Sequence, residues 1–316
     1  MSTSAAGLPD HYQPSGRVAW HAPIKVLVFG GLGAAALAAV YTLVIRYNPL
    51  IYFSCLATMG FGLLLGAVAG AACEAGQSRS RAFNAAAGMV VGLIALWFHW
   101  LMWTWLMFDD GGATARHLAT SGPAGWQDVL SYTADHRHLS VGKLGSAGAE
   151  ESPGFMEFTW GAEAIAVLLL STLIPLVGMK PFSEKAMQWV KTDWSGEFHI
   201  APDTPLEAPQ VEERIAREGL DWLAALHAHG PILNDKSPGL RLKVTCDSAP
   251  GDPACAWVSI DKVTQRGEKG KLTATLVKHR RAPAASYARL LAALREPVAP
   301  AAAATSAASL VQRDWK

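Results

Sequence analysis

Three windows of the chain, residues 26–45, 50–72 and 82–108, contain no Asp, Glu, Lys or Arg over 20, 23 and 27 positions. A bilayer core about 30 Å thick is crossed by about 20 apolar residues in α-helix, so each window predicts a membrane span. A fourth window, 160–179, holds a single acid, Glu163, near its start, and residues 164–170 are apolar on every face. Pro175 removes one backbone donor there, a loss that a membrane helix tolerates when a neighbouring helix or a side chain such as Ser171 or Thr172 compensates. Reading the windows as core helices of a water-soluble protein fails on geometry. Such helices need an amphipathic covering layer, and the connections at 46–49 and 73–81 are too short to hold one. Asn48-Pro49 marks a tight turn between the first two spans.

Within the spans, Gly62, Gly66 and Gly70 recur every four residues on one helix face, and Gly88 and Gly92 repeat the pattern in the third span. Helices meeting at such faces approach closely and gain van der Waals contact, the main attraction available in lipid. The spacing predicts tight packing, within one four-helix bundle or between copies of the chain as a homo-oligomer. Trp97, Trp100, Trp103, Trp105 and Phe108 crowd the end of the third span. Indoles favour the headgroup boundary, so most of this cluster reads as an interfacial belt, with Trp97 too deep for that role.

A 51-residue outer loop, 109–159, follows the third span. Trp126, Val129 and Leu130 at helical spacing predict a short helix over 125–132, lying on the membrane or on the bundle. Beyond the fourth span, 180–194 mixes Lys180, Lys185 and Lys191 with Phe182, Met187, Trp189 and Trp194, the composition of an interfacial helix, and a Pro-containing linker runs to 208. Pro209 opens a helix with an apolar stripe of Val211, Ile215, Trp222, Leu223 and Leu226, stopped by Gly230. Alternation at 240–245, 256–263 and 271–277 predicts three strands, the turn at 266–270 joining the last two. A helix over 284–294 presents Tyr287, Leu290, Leu291 and Leu294 on one side.

The expected class is an α-helical membrane protein: a four-helix transmembrane bundle carrying a small cytoplasmic α+β domain of order α-β-β-β-α. The divisions are an N-terminal cytoplasmic segment 1–25, the transmembrane domain 26–179, an interfacial segment and linker 180–208, the α+β domain 209–296 and a disordered Ala- and Pro-rich tail 297–316.

Composition supports two solvents in one chain. The 316 residues are 51% hydrophobic and 17% charged, with a mean hydropathy of +0.18. Of the 53 charged residues, 35 follow Met179, so that region has the charge density of a soluble domain. A net charge of +1 argues against nucleic acid as a partner. Arg17, Lys25, Arg79, Arg81, Lys180, Lys185 and Lys191 flank the spans on one side, whereas the outer loop holds seven acids against three basic residues. The excess of Lys and Arg places both termini in the cytoplasm of a bacterial inner membrane, with Arg46 against the rule.

Candidate chemistry is sparse. His99 is the sole imidazole within a span, and with Glu163 it forms the intramembrane polar pair, since ionisable groups in hydrocarbon are costly enough to suggest function. Counted from the predicted span edges, Glu163 lies nearer the outer end than His99. The simpler alternative is a neutral His99 bonded to a neighbouring hydroxyl. With no second histidine in any span, bis-histidine haem is not expected. His117, Asp135, His136 and His138 in the outer loop are weak metal-ligand candidates without a completing cluster, and no cofactor is expected. Cys246 and Cys255 could bridge a hairpin, although a cytoplasmic location keeps them reduced. Lys278-His-Arg-Arg281 reads as a solvated strand end. No P-loop, dinucleotide fingerprint, nucleophile elbow or His-Glu-x-x-His occurs, so the sequence offers no ground for assigning catalysis. The expected function is a non-enzymatic membrane anchor or scaffold whose residues 209–296 bind a protein partner. The alternatives are a transporter or channel subunit built on His99 and Glu163, without visible internal repeats, and an enzyme acting at the outer face through Asp109, Asp110 and the loop histidines.

Overall fold

The computed structural model describes residues 11–47, 51–107, 111–136, 140–141, 149–150, 153–200, 206–229, 239–265 and 271–296. They divide into two compact units, one within Ser15–Met179 and one formed by residues 11–14 with the part of the chain that follows Met179.

The first unit is helical. α1 (Ala22–Tyr47) is wound as a π-helix over Val26–Gly30, and is followed by α2 (Ile51–Ala75), α3 (Arg81–Met107), α4 (Gly111–His136) and α5 (Pro153–Val177). Four of these, α1, α2, α3 and α5, are long and apolar enough to cross a membrane. Their shared interior is built from small and branched residues, Ala34, Ala38, Leu65, Ala69, Val91, Ala95 and Val167, all buried. Leu32, Leu56, Leu64, Leu93, Ile165 and Leu169 point outward and are exposed, a surface suited to lipid and unsuited to water. This is the build of a multi-pass membrane protein. Cations close the helix ends: Lys25 Nζ donates to the Ala75 carbonyl at 2.7 Å, and the Arg46 guanidinium donates to the Leu106 carbonyl. Arg46, which runs against the charge rule, thus serves the last turn of α3.

The glycines bring α5 against two neighbours. A Cβ on Gly62 or Gly66 of α2 would meet Leu170 or Ile174 at 3.0 and 2.7 Å, and one on Gly92 of α3 would meet Ser171 Oγ at 2.6 Å. Gly70 has only Pro175 within reach, at 3.9 Å. Gly88 is the tightest, its Cβ site lying 2.3 Å from the Ser171 carbonyl oxygen. That oxygen is the acceptor whose i+4 donor is missing because residue 175 is proline. The bare backbone of α3 therefore packs against the carbonyl that Pro175 leaves free. Ser171 Oγ instead bonds the Leu168 carbonyl at 3.1 Å, and Thr172 Oγ1 is buried without a partner among the described residues.

The segment expected to be a loop with one short helix holds a helix of 26 residues, α4. Leu118, Trp126, Val129 and Leu130 pack onto Trp100, Trp103 and Trp160 of the bundle. Tertiary packing of one apolar stripe stabilises this helix despite its glycines and Pro123. Two short strands, β1 (Ser140–Val141) and β2 (Ala149–Glu150), pair antiparallel after it.

The second unit opens with a hairpin, β3 (Phe182–Ser183) and β4 (Gln188–Trp189), followed by β5 (Lys191–Ile200). The interfacial helix expected over 180–194 does not form. Its apolar residues are spaced by five, two and five, which matches no helix face, whereas Phe198 and Ile200 continue a period of two from the Trp194 bulge. α6 (Ala208–Glu218) and α7 (Asp221–His229) replace the single helix expected over 209–230. Gly219, at φ +73°, ends the first, which lets Leu220 turn into the core. β6 (Gly239–Ala249), β7 (Asp252–Gln265) and β8 (Lys271–Arg281) complete an antiparallel sheet of order β5-β6-β7-β8, with α8 (Ala284–Arg295) last. The main sheet thus has one strand more than expected, and after the β3–β4 hairpin the order is strand, two helices, three strands, helix. The predicted turn at 266–270 and tail at 297–316 lie outside the described residues. Leu223, Leu242, Val244, Ile260 and Leu290 are fully buried in the core between sheet and helices. Residues 11 and 12 join the sheet edge: His11 bridges Arg280, and the Tyr12 amide donates to the His279 carbonyl at 3.0 Å.

Candidate functional site in the helical bundle

Tyr41, Thr42, Thr58, His99 and Glu163 come from four different helices and lie at one end of the bundle. From the helix termini, a rise of 1.5 Å per residue puts Tyr41, Thr58, His99 and Glu163 at depths of about 9 to 15 Å. The depth mismatch expected for His99 and Glu163 disappears because α5 starts at Pro153, seven residues before the predicted span edge. Both residues line one cavity of about 40 Å³, together with Tyr41, Ile45, Leu96, Trp100, Trp103, Trp160, Ala164 and Val167.

Two hydrogen-bonded groups lie at the cavity. The Thr42 hydroxyl donates its one hydrogen to the Ala38 carbonyl at 2.7 Å. In neutral His99, Nδ1 therefore carries the ring proton and donates to Thr42 Oγ1 at 2.8 Å. This leaves Nε2 as an acceptor, with no partner among the described residues. The second group centres on Thr58 Oγ1, which donates to the Ser54 carbonyl at 2.9 Å and lies 2.8 Å from the Tyr41 hydroxyl. Tyr41 links the two groups: its ring stacks on Phe61 at 4.3 Å and lies 4.9 Å from the His99 ring.

Tryptophans close the site on the α4 side. Trp97 stacks on Trp126 of α4 at 5.6 Å, and Trp100 meets Trp160 edge to face at 5.3 Å. Trp100 and Trp103 are 9% and 3% exposed, so they are core residues and not the boundary belt that their crowding suggested; Trp105, 68% exposed, keeps that character. The reason is α4, which covers a surface that the linear pattern left to lipid.

Tyr41, Thr42, Thr58 and Trp160 were not singled out in the sequence. Their signal was available, as the hydroxyls and one indole that sit at the depth of His99 once helix ends are counted. Of the weak metal candidates, His117 and His136 stand far apart on α4. His117 is exposed on α4 and hydrogen-bonds Ser121 at 3.1 Å. His136 is 19 residues further along the same helix, about 28 Å away, and His138 lies outside the described residues. Among the described residues no three His, Cys, Asp or Glu side chains group as metal ligands.

The sheet unit holds a second polar cluster. Asp193 accepts from the Tyr287 hydroxyl at 2.6 Å and from Ser248 at 2.5 Å, while Asp247 accepts from Thr192 at 2.7 Å. Burial raises the Asp247 carboxyl and, with the Asp193 carboxylate close by, the Tyr287 hydroxyl. His279 Nδ1 faces Ser259 Oγ at 3.3 Å and Asp247 Oδ2 at 4.0 Å. A Ser-His-Asp relay needs the two ring nitrogens on opposite partners, and here one nitrogen faces both, so the cluster ties strands together. Burial lowers the His279 imidazole to about 4. Cys246 and Cys255 are free thiols in separate apolar clusters. Burial pushes Cys246 up to about 12 and raises Cys255 as well, so neither has thiolate character at neutral pH.

No protein family model, no curated protein and no solved structure matches the chain.

Proposed function

We propose that the chain is a transporter or channel subunit of a bacterial inner membrane, with both termini cytoplasmic, in which His99 and Glu163 form the site where a protonatable or cationic species is bound. The observation that carries this reading is the convergence of Tyr41, His99 and Glu163 from three helices on one cavity, with Thr58 hydrogen-bonded to Tyr41 and Thr42 to His99. An inert anchor needs no such cluster. Every polar group placed in hydrocarbon raises its free energy unless partnered, and a dry bundle of Ala, Leu and Val would insert more readily. The unmatched His99 Nε2 and the Glu163 carboxylate supply acceptors that the surrounding helices do not use up.

Charge movement across reconstituted membranes tests the reading. Proteoliposomes on a solid-supported membrane are challenged with a pH jump and with sodium, potassium and ammonium jumps. We expect a transient current in the wild type for at least one of these, lost in Glu163→Gln and His99→Ala. Wild-type currents no larger than those of protein-free liposomes, or currents that both variants retain, would overturn the proposal.

A further inference from the structure

The cavity is lined by aromatic rings and one carboxylate. Five of its ten lining residues carry rings, Tyr41, His99, Trp100, Trp103 and Trp160, one carries a carboxylate, and none is Lys or Arg. Indole and phenol faces present negative potential and attract a cation, more strongly where water is excluded. The Glu163 carboxylate and His99 Nε2 are acceptors at the cavity, so they match an occupant that donates hydrogen bonds.

A metal ion fits this lining poorly. Hard cations take six or more oxygen ligands, and Tyr41 and Glu163 are the lining side chains that bring oxygen, the Tyr41 hydroxyl being already engaged by Thr58. An N–H cation has no such need, because ring faces replace the missing oxygens and each N–H finds an acceptor. Size narrows the choice further. About 40 Å³ is room for a few water-sized groups, which suits ammonium or a singly methylated amine better than a bulky quaternary amine.

Resting on the transport reading above, we propose that the species bound between Glu163, His99 and the Trp100, Trp103 and Trp160 rings is a small ammonium cation, ammonium itself or methylammonium. α4 closes the cage, since Trp126, Val129 and Leu130 pack on the same tryptophans and hold their rings in place.

The test is equilibrium binding of radiolabelled methylammonium to the purified full chain in detergent. We expect saturable binding that ammonium displaces and that sodium and tetramethylammonium at equal concentration do not. Losing a charge-assisted hydrogen bond through Glu163→Gln weakens binding by about tenfold or more. Trp160→Leu weakens it several-fold, whereas Trp160→Phe, which keeps a ring, retains most of it. Trp105→Leu, on the exposed face of α3, leaves binding unchanged and controls for general perturbation. Absence of saturable binding in folded wild-type protein, or binding indifferent to Glu163→Gln in a variant that melts like wild type, overturns the proposal. Sodium or proton currents that depend on His99 and Glu163, without methylammonium binding, would leave the transport reading standing and this assignment refuted. The loss of both signals would refute both.

Discussion

Replacing Gly88 by alanine tests the closest helix contact in the bundle. The new Cβ would stand 2.3 Å from the Ser171 carbonyl oxygen and 2.8 Å from Thr172 Cα, about 1 Å short of ordinary contact at 3.4 Å. Both atoms are backbone, so no rotamer change relieves the clash, and α3 and α5 must separate. Overpacking of this kind costs about 1–3 kcal/mol. Alanine's better helix propensity returns about 1 kcal/mol, which leaves a net loss of up to about 2 kcal/mol. Separation also withdraws the packing around the carbonyl that Pro175 leaves free. Thermal melting of the full chain in detergent is the assay, with Gly60→Ala as control, because nothing lies within 4 Å of a Cβ there. The losses should fall in the order Gly88→Ala, Gly66→Ala, Gly92→Ala, Gly70→Ala. Gly66 faces the Ile174 side chain and the Leu170 carbonyl, Gly92 chiefly the rotatable Ser171 Oγ, and Gly70 an atom at ordinary contact distance. Equal melting of Gly88→Ala and Gly60→Ala would refute the close approach.

Two predictions concern the sheet unit. Leu242→Ala, at a fully buried position on central strand β6, should destabilise the unit by about 2–5 kcal/mol. The unit should become protease-sensitive while the helical unit stays protected, and unchanged protease resistance would count against the core as described. His279 should make the unit acid-sensitive. Its folded value of about 4 lies below the ordinary 6.5, so between these values the unfolded chain binds more protons and stability rises with pH. The contribution is complete above about pH 6.5 and is lost as pH falls through about 4. Asp247, raised in the folded state, acts in the opposite direction. Wild type compared with His279→Gln isolates the imidazole: melting of the variant should fall less steeply from pH 7 to 4.5, and parallel slopes would refute the assignment.

The four spans were legible because lipid makes a local demand. Each helix must satisfy its own backbone and present apolar side chains all round, and both conditions are written in consecutive residues. The strands β6, β7 and β8 were legible for a related reason, since alternation records which face meets a core. β5 was missed because its bulge at Trp194 breaks the alternation and its basic flank resembles an interfacial helix. The break at Gly219 was missed because the apolar stripe runs on across it; only a backbone turned to positive φ reveals that the stripe belongs to two helices. α4 was missed because its glycines and Pro123 argue against a long helix, and its stability comes from tryptophans about 20 residues away in sequence.

His99 and Glu163 stand out in the sequence as polar residues in apolar windows, each candidate a property of one segment. Their convergence is a tertiary fact. It depends on the start of α5 at Pro153, which sets the depth of Glu163, and on the glycine contacts that seat α5 between α2 and α3. Local solvation demands therefore made the membrane spans readable from sequence alone. Only the packing of helices distant in sequence decided that Tyr41, His99 and Glu163 share one cavity, with Thr58 and Thr42 hydrogen-bonded to the first two, because hydrogen bonds and ring contacts between helices leave no periodic trace along the chain.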